Sequence, residues 1–118
     1  MGITTVKLKV GNPQKPSKKV EGEYLVDTGA HYTVLPGDLV KILGLKPSYS
    51  QEFALADGNV VKRNIGSATI NFEGRELTVP VVLGQKGDSK LLGVTTLESF
   101  GMMIDPFKRK IYPSKLML

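Results

Sequence analysis

One acidic segment, Asp27-Thr28-Gly29, combines residue types and a position that suit a catalytic turn. It comes directly after the apolar residues Leu25 and Val26, so the carboxyl group of Asp27 is expected to be partly shielded from water. The Thr28 hydroxyl group can bond locally or to a partner, and Gly29 permits a backbone path that a side chain would block. Such a turn can aim a carboxylate into a cleft. Taken alone, the tripeptide fits equally well a simple turn at the end of a strand, with the aspartate as its cap.

Other residue types with catalytic or metal-binding chemistry are scarce. The sequence has no cysteine, which excludes disulfides, thiolate zinc sites and cysteine nucleophiles. It has a single histidine, His31, so a histidine-based metal site or proton relay is poorly supported. We interpret His31 as a surface or groove residue, and we predict neither a metal ion nor a cofactor.

Length and composition fit one compact domain, residues 1–118, with enough apolar residues (41%) for a core. No stretch approaches the roughly 20 apolar residues of a membrane span. We recognise no secretory signal at the start of the sequence. A cytoplasmic protein without a membrane partner is therefore expected.

The net charge of +5 would also suit a basic barrel that binds nucleic acid. The basic residues cluster at 15–19 and at 108–110, beside prolines in predicted turns. Neither cluster is interleaved with aromatic residues. We interpret both as solvated loops and do not expect a nucleic-acid partner.

Short strands must position the acidic turn. An apolar period of two and bounding turn residues predict these strands over residues 6–10, 20–26, 32–35, 51–56, 60–65, 68–72, 77–83, 102–104 and 110–112. Polar loops are expected over 14–19 and 84–90. Many short strands separated by turns favour an all-β barrel or closed sandwich.

Two short helices and two tight turns complete this prediction. Residues 36–43 predict a helix in which Leu39, Ile42 and Leu43 share one face and Gly44 can close the end, and residues 94–100 predict a second helix. Hairpin turns are expected at 57–59 and 73–75, where a glycine accepts the positive φ angles of such turns.

Residues 27–35, from the acidic turn to Leu35, resemble the active-site segment of the retropepsins, the retroviral aspartic proteases. That family reads Asp-Thr-Gly-Ala, two variable residues, then Thr-Val-Leu. Leu91-Leu92-Gly93 and the helix after it resemble the family's apolar-apolar-Gly element, in which the glycine lets a helix start close to the active-site loop. Residues 54–60 stand where the family has its flap hairpin. The resemblance implies an all-β, closed retropepsin-like barrel with one or two short helices and a flap.

Two positions depart from the viral pattern. Viral enzymes commonly have an acid two residues after the glycine of the turn and an arginine after the later glycine, whereas this chain has His31 and Val94. An ion pair that braces the viral dimer is thus lacking on both sides. Residues 103–106 resemble instead the cellular, microbial retropepsin-like proteins.

The resemblance implies an aspartic endopeptidase that is active as a homodimer and cleaves peptides or unfolded proteins. Two carboxyl groups about 3 Å apart share one proton, and together they activate water and polarise the scissile carbonyl. The sequence has one Asp-Thr-Gly, so a two-fold axis must bring Asp27 of each chain together. Because Ala30 offers no hydroxyl group to the carboxylate, we expect a mildly acidic pH optimum.

The implied site residues form three groups. Asp27 is catalytic, and Thr28 and Gly29 support its loop; the substrate-binding residues are Ala30, Val34, Ala56, Asp57, Gly58 and Leu92. An extended peptide would pair with the flap by main-chain hydrogen bonds. The altered positions His31 and Val94 also allow an alternative, a catalytically weak peptide-binding or dimerisation module on the same fold.

Overall fold

The computed structural model describes residues 3–115, so both ends of the predicted 1–118 domain lie outside the described residues. The described chain forms nine strands and two short helices: β1 (Thr5–Asn12), β2 (Lys15–Val26), β3 (Thr33–Leu35), α1 (Gly37–Leu43), β4 (Tyr49–Ala54), β5 (Val60–Phe72), β6 (Arg75–Leu83), β7 (Leu91–Leu92), α2 (Val94–Ser99), β8 (Met102–Asp105) and β9 (Lys110–Pro113). Neither helix has the length and apolar character that crossing a membrane would need, within these described residues.

One sheet of seven strands holds most of the chain. Its order is β1-β2-β7-β3-β6-β5-β4, and β1 also pairs with β5, so six of the strands close into a ring while β4 stays outside it. The pairs β2–β7 and β3–β6 are parallel, and the other pairs are antiparallel. A separate two-stranded sheet joins β8 and β9. The prediction of an all-β fold with one or two short helices is confirmed.

The ring encloses the hydrophobic core. Alternate residues of the ring strands point inward, as the two-residue period of a strand requires, and Leu8, Val10, Tyr24, Ile70 and Val81 are almost completely buried. The apolar surroundings of Tyr24 disfavour its charged form and raise the pKa of its hydroxyl group. This core fixes which strand residues face away from the ring and toward a site.

Helix α1 covers one side of this core. Leu39 and Leu43 are buried as predicted, but Ile42 is 52% exposed, so its predicted place on the buried face is wrong. Ile42 lies three residues after Leu39, and the narrow contact of a seven-residue helix reaches only the i, i+4 pair. Gly44 ends the helix in the left-handed conformation (φ +67°), as the sequence predicted.

Two strand predictions were wrong in extent. Residues 15–19 of the predicted loop over 14–19 belong instead to β2, which begins at Lys15 and pairs with β1, and Gln14 alone stays in a turn. Its first five side chains are all exposed, so no apolar alternation marks them in the sequence. The predicted strands 60–65 and 68–72 are one strand, β5, because Gly66 and Ser67 continue its pairing with β6.

Both predicted hairpin turns are confirmed. Glu73 (φ +50°) and Gly74 (φ +82°) form the two-residue turn between β5 and β6, and positive φ at both positions suits the twist of a hairpin. Gly58 (φ +87°) lies in the turn of the β4–β5 hairpin. This second hairpin, at the position of the predicted flap, extends beyond the ring.

Candidate active site

Asp27 lies at the carboxyl end of β2, where the parallel strand β7 ends beside it. Leu25 pairs with Leu91 and Val26 with Leu92, and the Asp27 N–H then donates to the Leu92 carbonyl at 3.0 Å. Parallel pairing thus brings a segment from late in the chain behind the acidic turn. Asp27 is half-buried, in agreement with the shielding predicted from its apolar neighbours.

The turn itself orients the Asp27 carboxylate. The Gly29 N–H donates to Oδ1 of Asp27 at 2.9 Å, and the Ala30 N–H donates to the Asp27 carbonyl at 3.1 Å. Thr28 and Gly29 are exposed. The exposed side of the turn leaves the carboxylate accessible to water or to a second carboxyl group.

Helix α2 supports the segment that follows the turn. The Val94 N–H donates to the Ala30 carbonyl at 2.9 Å, and the Thr95 N–H donates to the His31 carbonyl at 2.9 Å. The first N–H groups of a helix have no partner within the helix, so these two bonds satisfy both the helix and the active-site segment. The N–H of Val94, one of the two positions that differ from the viral pattern, therefore has a structural role.

A buried hydroxyl pair closes the contact between the two segments. Oγ1 of Thr33 lies 2.6 Å from Oγ1 of Thr96, and it accepts the Gly93 N–H at 3.1 Å. A Cβ atom on Gly93 would lie 2.8 Å from the Thr33 nitrogen and closer still to the Tyr32 carbonyl group. The expectation that this glycine lets a helix start beside the active-site loop agrees with the packing. No sequence signal marks the hydroxyl pair, since its two residues are 63 positions apart.

A cleft of about 390 Å³ opens in front of the turn. Its walls come from the active-site segment, the β4–β5 hairpin, strands β6 and β7, and the loop between these two strands. The residues that line it are Gly29, Ala30, His31, Tyr32, Val34, Phe53, Ala54, Leu55, Val61, Arg63, Val82, Asp88, Ser89 and Leu91. The cleft is mostly apolar, and its charged groups, Arg63 of the hairpin and Asp88 of the β6–β7 loop, pair with each other.

The structure brings some of the predicted substrate-binding residues to this cleft and leaves others away from it. Ala30 and Val34 line it, but Leu92 is 3% exposed in the core, and its neighbour Leu91 faces the cleft instead. Successive residues of a strand point to opposite faces. The position of the apolar pair was therefore predicted correctly, but the wrong one of its two leucines was assigned to the cleft. A leucine of β7 still contributes an apolar wall.

The cleft-lining residues of the flap also differ from the predicted ones. Ala56, Asp57 and Gly58 are exposed at the tip of the β4–β5 hairpin and do not line the cleft of the single chain. Oδ1 of Asp57 accepts the Asn59 N–H at 2.9 Å, which uses this side chain to shape the turn. Phe53 and the two residues after it line the cleft instead.

Aromatic contacts connect the turn with the flap. The ring of Tyr32 lies edge-on to His31, with 4.6 Å between centroids, and to Phe53 of β4, with 6.3 Å between centroids. Such edge-to-face pairs add to the energy of apolar burial. His31 is exposed, as predicted for a surface or groove residue.

Sequence reasoning missed the ion pair in the cleft wall. Nε of Arg63 donates to Oδ2 of Asp88 at 3.0 Å, and Nη2 donates to Oδ1 at 3.4 Å. The Arg63 guanidinium, helped by the Gln85 N–H, holds the pKa of Asp88 below its usual range. One signal for Arg63 was available, because the two-residue period of a strand places it on the same face of β5 as Val61, which also lines the cleft. Within residues 3–115, no group of three or more His, Cys, Asp or Glu residues could hold a metal ion.

The family comparison agrees with this geometry. A family model described as "gag-polyprotein putative aspartyl protease" matches residues 18–99, which is more than half of the chain. The chain belongs to this family. The match covers the acidic turn, the flap hairpin and the β7–α2 segment of this retropepsin-like protein. A comparison with curated proteins found no match.

Solved structures show the same fold at low sequence identity. The chain is similar to EIAV protease in complex with the inhibitor HBY-793 (TM-score 0.67, 19% identity, 99% of this chain and 94% of that one). It is also similar to a retropepsin-like aspartic protease from Rickettsia conorii (TM-score 0.57, 24% identity, 88% of this chain and 77% of that one). A third similar structure is the retroviral protease-like domain of Ddi1 from Leishmania major (TM-score 0.57, 14% identity, 98% of this chain and 92% of that one). These similarities confirm the retropepsin-like fold.

Proposed function

We propose that this protein is an aspartic endopeptidase in which two identical chains, each a single domain of residues 1–118, contribute one Asp27 each to a shared catalytic dyad. The observation that carries the proposal is the position of Asp27. Its carboxylate is held by the Gly29 N–H at 2.9 Å, in a turn bonded from behind by β7 and α2, beside an open cleft. The chain belongs to a family described as aspartyl proteases, and this supports a catalytic role for the carboxylate.

The chemistry requires two carboxyl groups that share a proton. The ionised group takes a proton from a water molecule, and the protonated group polarises the scissile carbonyl. Hydroxide character develops on the water as it attacks, and the proton passes on to the leaving nitrogen. The pair does this without a covalent intermediate.

Among residues 3–115 of one chain, no other aspartate is placed to complete such a pair. Asp88 lines the same cleft, but its carboxylate is engaged by Arg63 and by the Gln85 N–H. The remaining aspartates accept backbone N–H groups on other elements: Asp38 in α1, Asp57 in the flap turn and Asp105 at the end of β8. A two-fold axis through the exposed face of the turn would supply the second carboxyl group from the partner's own Asp27.

The cleft suits an extended peptide with apolar side chains. A peptide between the turn and the flap would pair with main-chain groups, and Val34, Val82 and Leu91 would contact the side chains beside the scissile bond. Such a peptide must be unpaired and extended, so unfolded proteins and flexible segments are the proposed substrates. Thr28 is exposed and would bond with the partner's turn across the axis.

Cleavage of an unstructured protein between pH 3 and pH 7 tests the proposal. Asp27→Asn should abolish cleavage and leave the dimer intact, while the matched change Asp38→Asn, on the exposed side of α1, should leave cleavage unchanged. A mildly acidic optimum is expected. A dimer that binds peptides without cutting them would favour the peptide-binding module, and binding to single-stranded nucleic acid that weakens linearly in log salt would favour the basic barrel.

Mixing the two proteins tests the shared dyad directly. With equal amounts of wild type and Asp27→Asn that exchange freely, about one quarter of all dimers carry two aspartates. The wild-type chains should then show about half the activity that they show alone at the same amount. Unchanged activity, with exchange verified by mass-tagged chains, would show that each chain acts by itself.

A further inference from the structure

Arg63 stands at the base of the flap. Strand β5 pairs with β6 from Asn64 onward, whereas Arg63 pairs only with Gln51 of β4. Arg63 therefore lies just outside the ring. Between Arg63 and the tip, the flap consists of only the two paired strands β4 and β5. A two-stranded hairpin is at best marginally stable by itself, so a single strong contact at its base has a large effect on its order.

Asp88 is held by its own loop, independently of the flap. The Gln85 N–H donates to Oδ2 of Asp88 at 2.8 Å, and the Asp88 N–H donates to the Gln85 carbonyl at 3.0 Å. The loop also packs closely, since a Cβ atom on Gly84 would lie 2.9 Å from the same carboxylate oxygen. The β6–β7 loop thus presents a fixed carboxylate to the flap base.

The ion pair between them is partly withdrawn from water. The side chain of Arg63 is 19% exposed and that of Asp88 is 27% exposed, and two guanidinium nitrogens reach the two carboxylate oxygens. A third nitrogen, Nη1, donates to the Lys62 carbonyl at 3.1 Å and so fixes the guanidinium to its own strand. Two-point pairs of this kind are stronger and more directional than single contacts.

From these contacts we propose that the Arg63–Asp88 ion pair is a brace that ties the flap base to the β6–β7 loop and thereby sets the width of the substrate cleft. Both residues line that cleft. They are positioning residues, because they act on the flap rather than on the reacting atoms. The expected effect on KM rests on the proposed peptidase function, whereas the expected effect on the order of the flap does not.

The kinetic consequence concerns binding rather than chemistry. Without the brace, the ordered flap is populated for a smaller fraction of the time, and the apparent affinity for a peptide falls by that fraction. Once the peptide has ordered the flap, the dyad is unaffected. Loss of the brace should therefore raise KM and leave kcat nearly unchanged.

The experiment compares two ion pairs in the full-length protein. Arg63→Gln, Asp88→Asn and the double variant remove the brace, and Asp88→Asn keeps an oxygen for the loop's own hydrogen bond. Lys19→Gln is the matched control, because Lys19 pairs with Glu76 between β2 and β6, and neither residue lines the cleft. Hydrogen exchange of the β4–β5 hairpin, together with KM and kcat for one peptide, gives two separate readouts.

Each brace variant should increase exchange in the β4–β5 hairpin about tenfold, and raise KM about tenfold with kcat within about twofold. The double variant should be no worse than either single one, because each removes the same contact. Arg63→Lys should fall between wild type and Arg63→Gln. Lys19→Gln should leave both readouts unchanged.

Unchanged hairpin exchange in Arg63→Gln and Asp88→Asn would overturn the brace, whatever the kinetics. An equal increase in Lys19→Gln would do the same, since the effect would then be a general loss of stability. If the wild type cleaves nothing, the proposed peptidase function fails, but the exchange readout still decides whether the ion pair orders the flap.

Discussion

Replacement of Gly93 by alanine tests how tightly the β7–α2 segment packs behind the active-site turn. The added Cβ would lie 2.8 Å from the Thr33 nitrogen and nearer still to the Tyr32 carbonyl group. Carbon atoms in contact normally stay about 3.5–4.0 Å apart, so the two backbones must separate. Overpacking costs about 1–3 kcal/mol, and because backbone atoms cannot rotate away, we expect about 3 kcal/mol.

This loss is a large part of the roughly 5–15 kcal/mol by which a domain is stable. At about 4 °C per kcal/mol for this chain length, Tm should fall by about 10 °C or more. Thermal unfolding followed by circular dichroism measures it, with Gly22→Ala as the control. There the nearest atom to a new Cβ is the Nζ of Lys90 at 3.1 Å, the end of a flexible side chain that can move away.

Gly93→Ala should also lower kcat in the fraction that remains folded, since the Tyr32–Thr33 backbone continues directly from the turn. The reasoning would be refuted if Gly93→Ala unfolded within about 3 °C of wild type. Equal losses in Gly93→Ala and Gly22→Ala would refute it as well, because the argument depends on backbone rather than side-chain contact.

Three further predictions concern stability. Asn12→Ala should lower the free energy of unfolding in urea by about 1–3 kcal/mol, because the buried Asn12 amide donates to the carbonyls that end α1. Asn59→Ala, in the exposed flap turn, should change it by no more than about 0.5 kcal/mol. Leu43→Ala should cost about 2–5 kcal/mol because Leu43 is fully buried, and Ile42→Ala, on the exposed side of the same helix, should cost less than about 1 kcal/mol. The lowered pKa of Asp88 stabilises the fold above the usual aspartate value of about 3.9, and this contribution is lost as the pH falls through the lowered pKa. Urea titrations at pH 7 and pH 3 should therefore show a smaller acid-induced loss in Asp88→Asn than in wild type.

Local chemistry explains what could be predicted from the sequence. The turn at Asp27 follows from an apolar strand that ends in an acid and a glycine, and the hairpins at Gly58 and Gly74 follow from residues that accept positive φ. These signals lie within a few neighbouring positions. They also gave the order of elements, and with it the resemblance to the family.

The features that could not be predicted from the sequence depend on contacts between residues far apart in the chain. Residues 15–19 are exposed and form a strand only because β1 is available as a partner. Arg63 and Asp88 are 25 positions apart, and Thr33 and Thr96 are 63 apart, so nothing near either member marks the other. The phase of Leu91 and Leu92 is likewise set by β7 lying between β2 and β3, and two residues are too few to show an alternation.

Hydrogen bonds from several elements hold the active-site turn in place. Thr28 and Gly29 are exposed, yet the turn that contains them is bonded from β7, from α2 and from within. A surface turn without a function needs no such support, whereas a catalytic group gains from being held in its reactive position before the substrate arrives. None of these backbone bonds depends on the charge of Asp27, and an asparagine retains an oxygen for the Gly29 N–H. Asp27→Asn should therefore keep the turn, and a loss of cleavage in that variant would report on proton transfer rather than on structure.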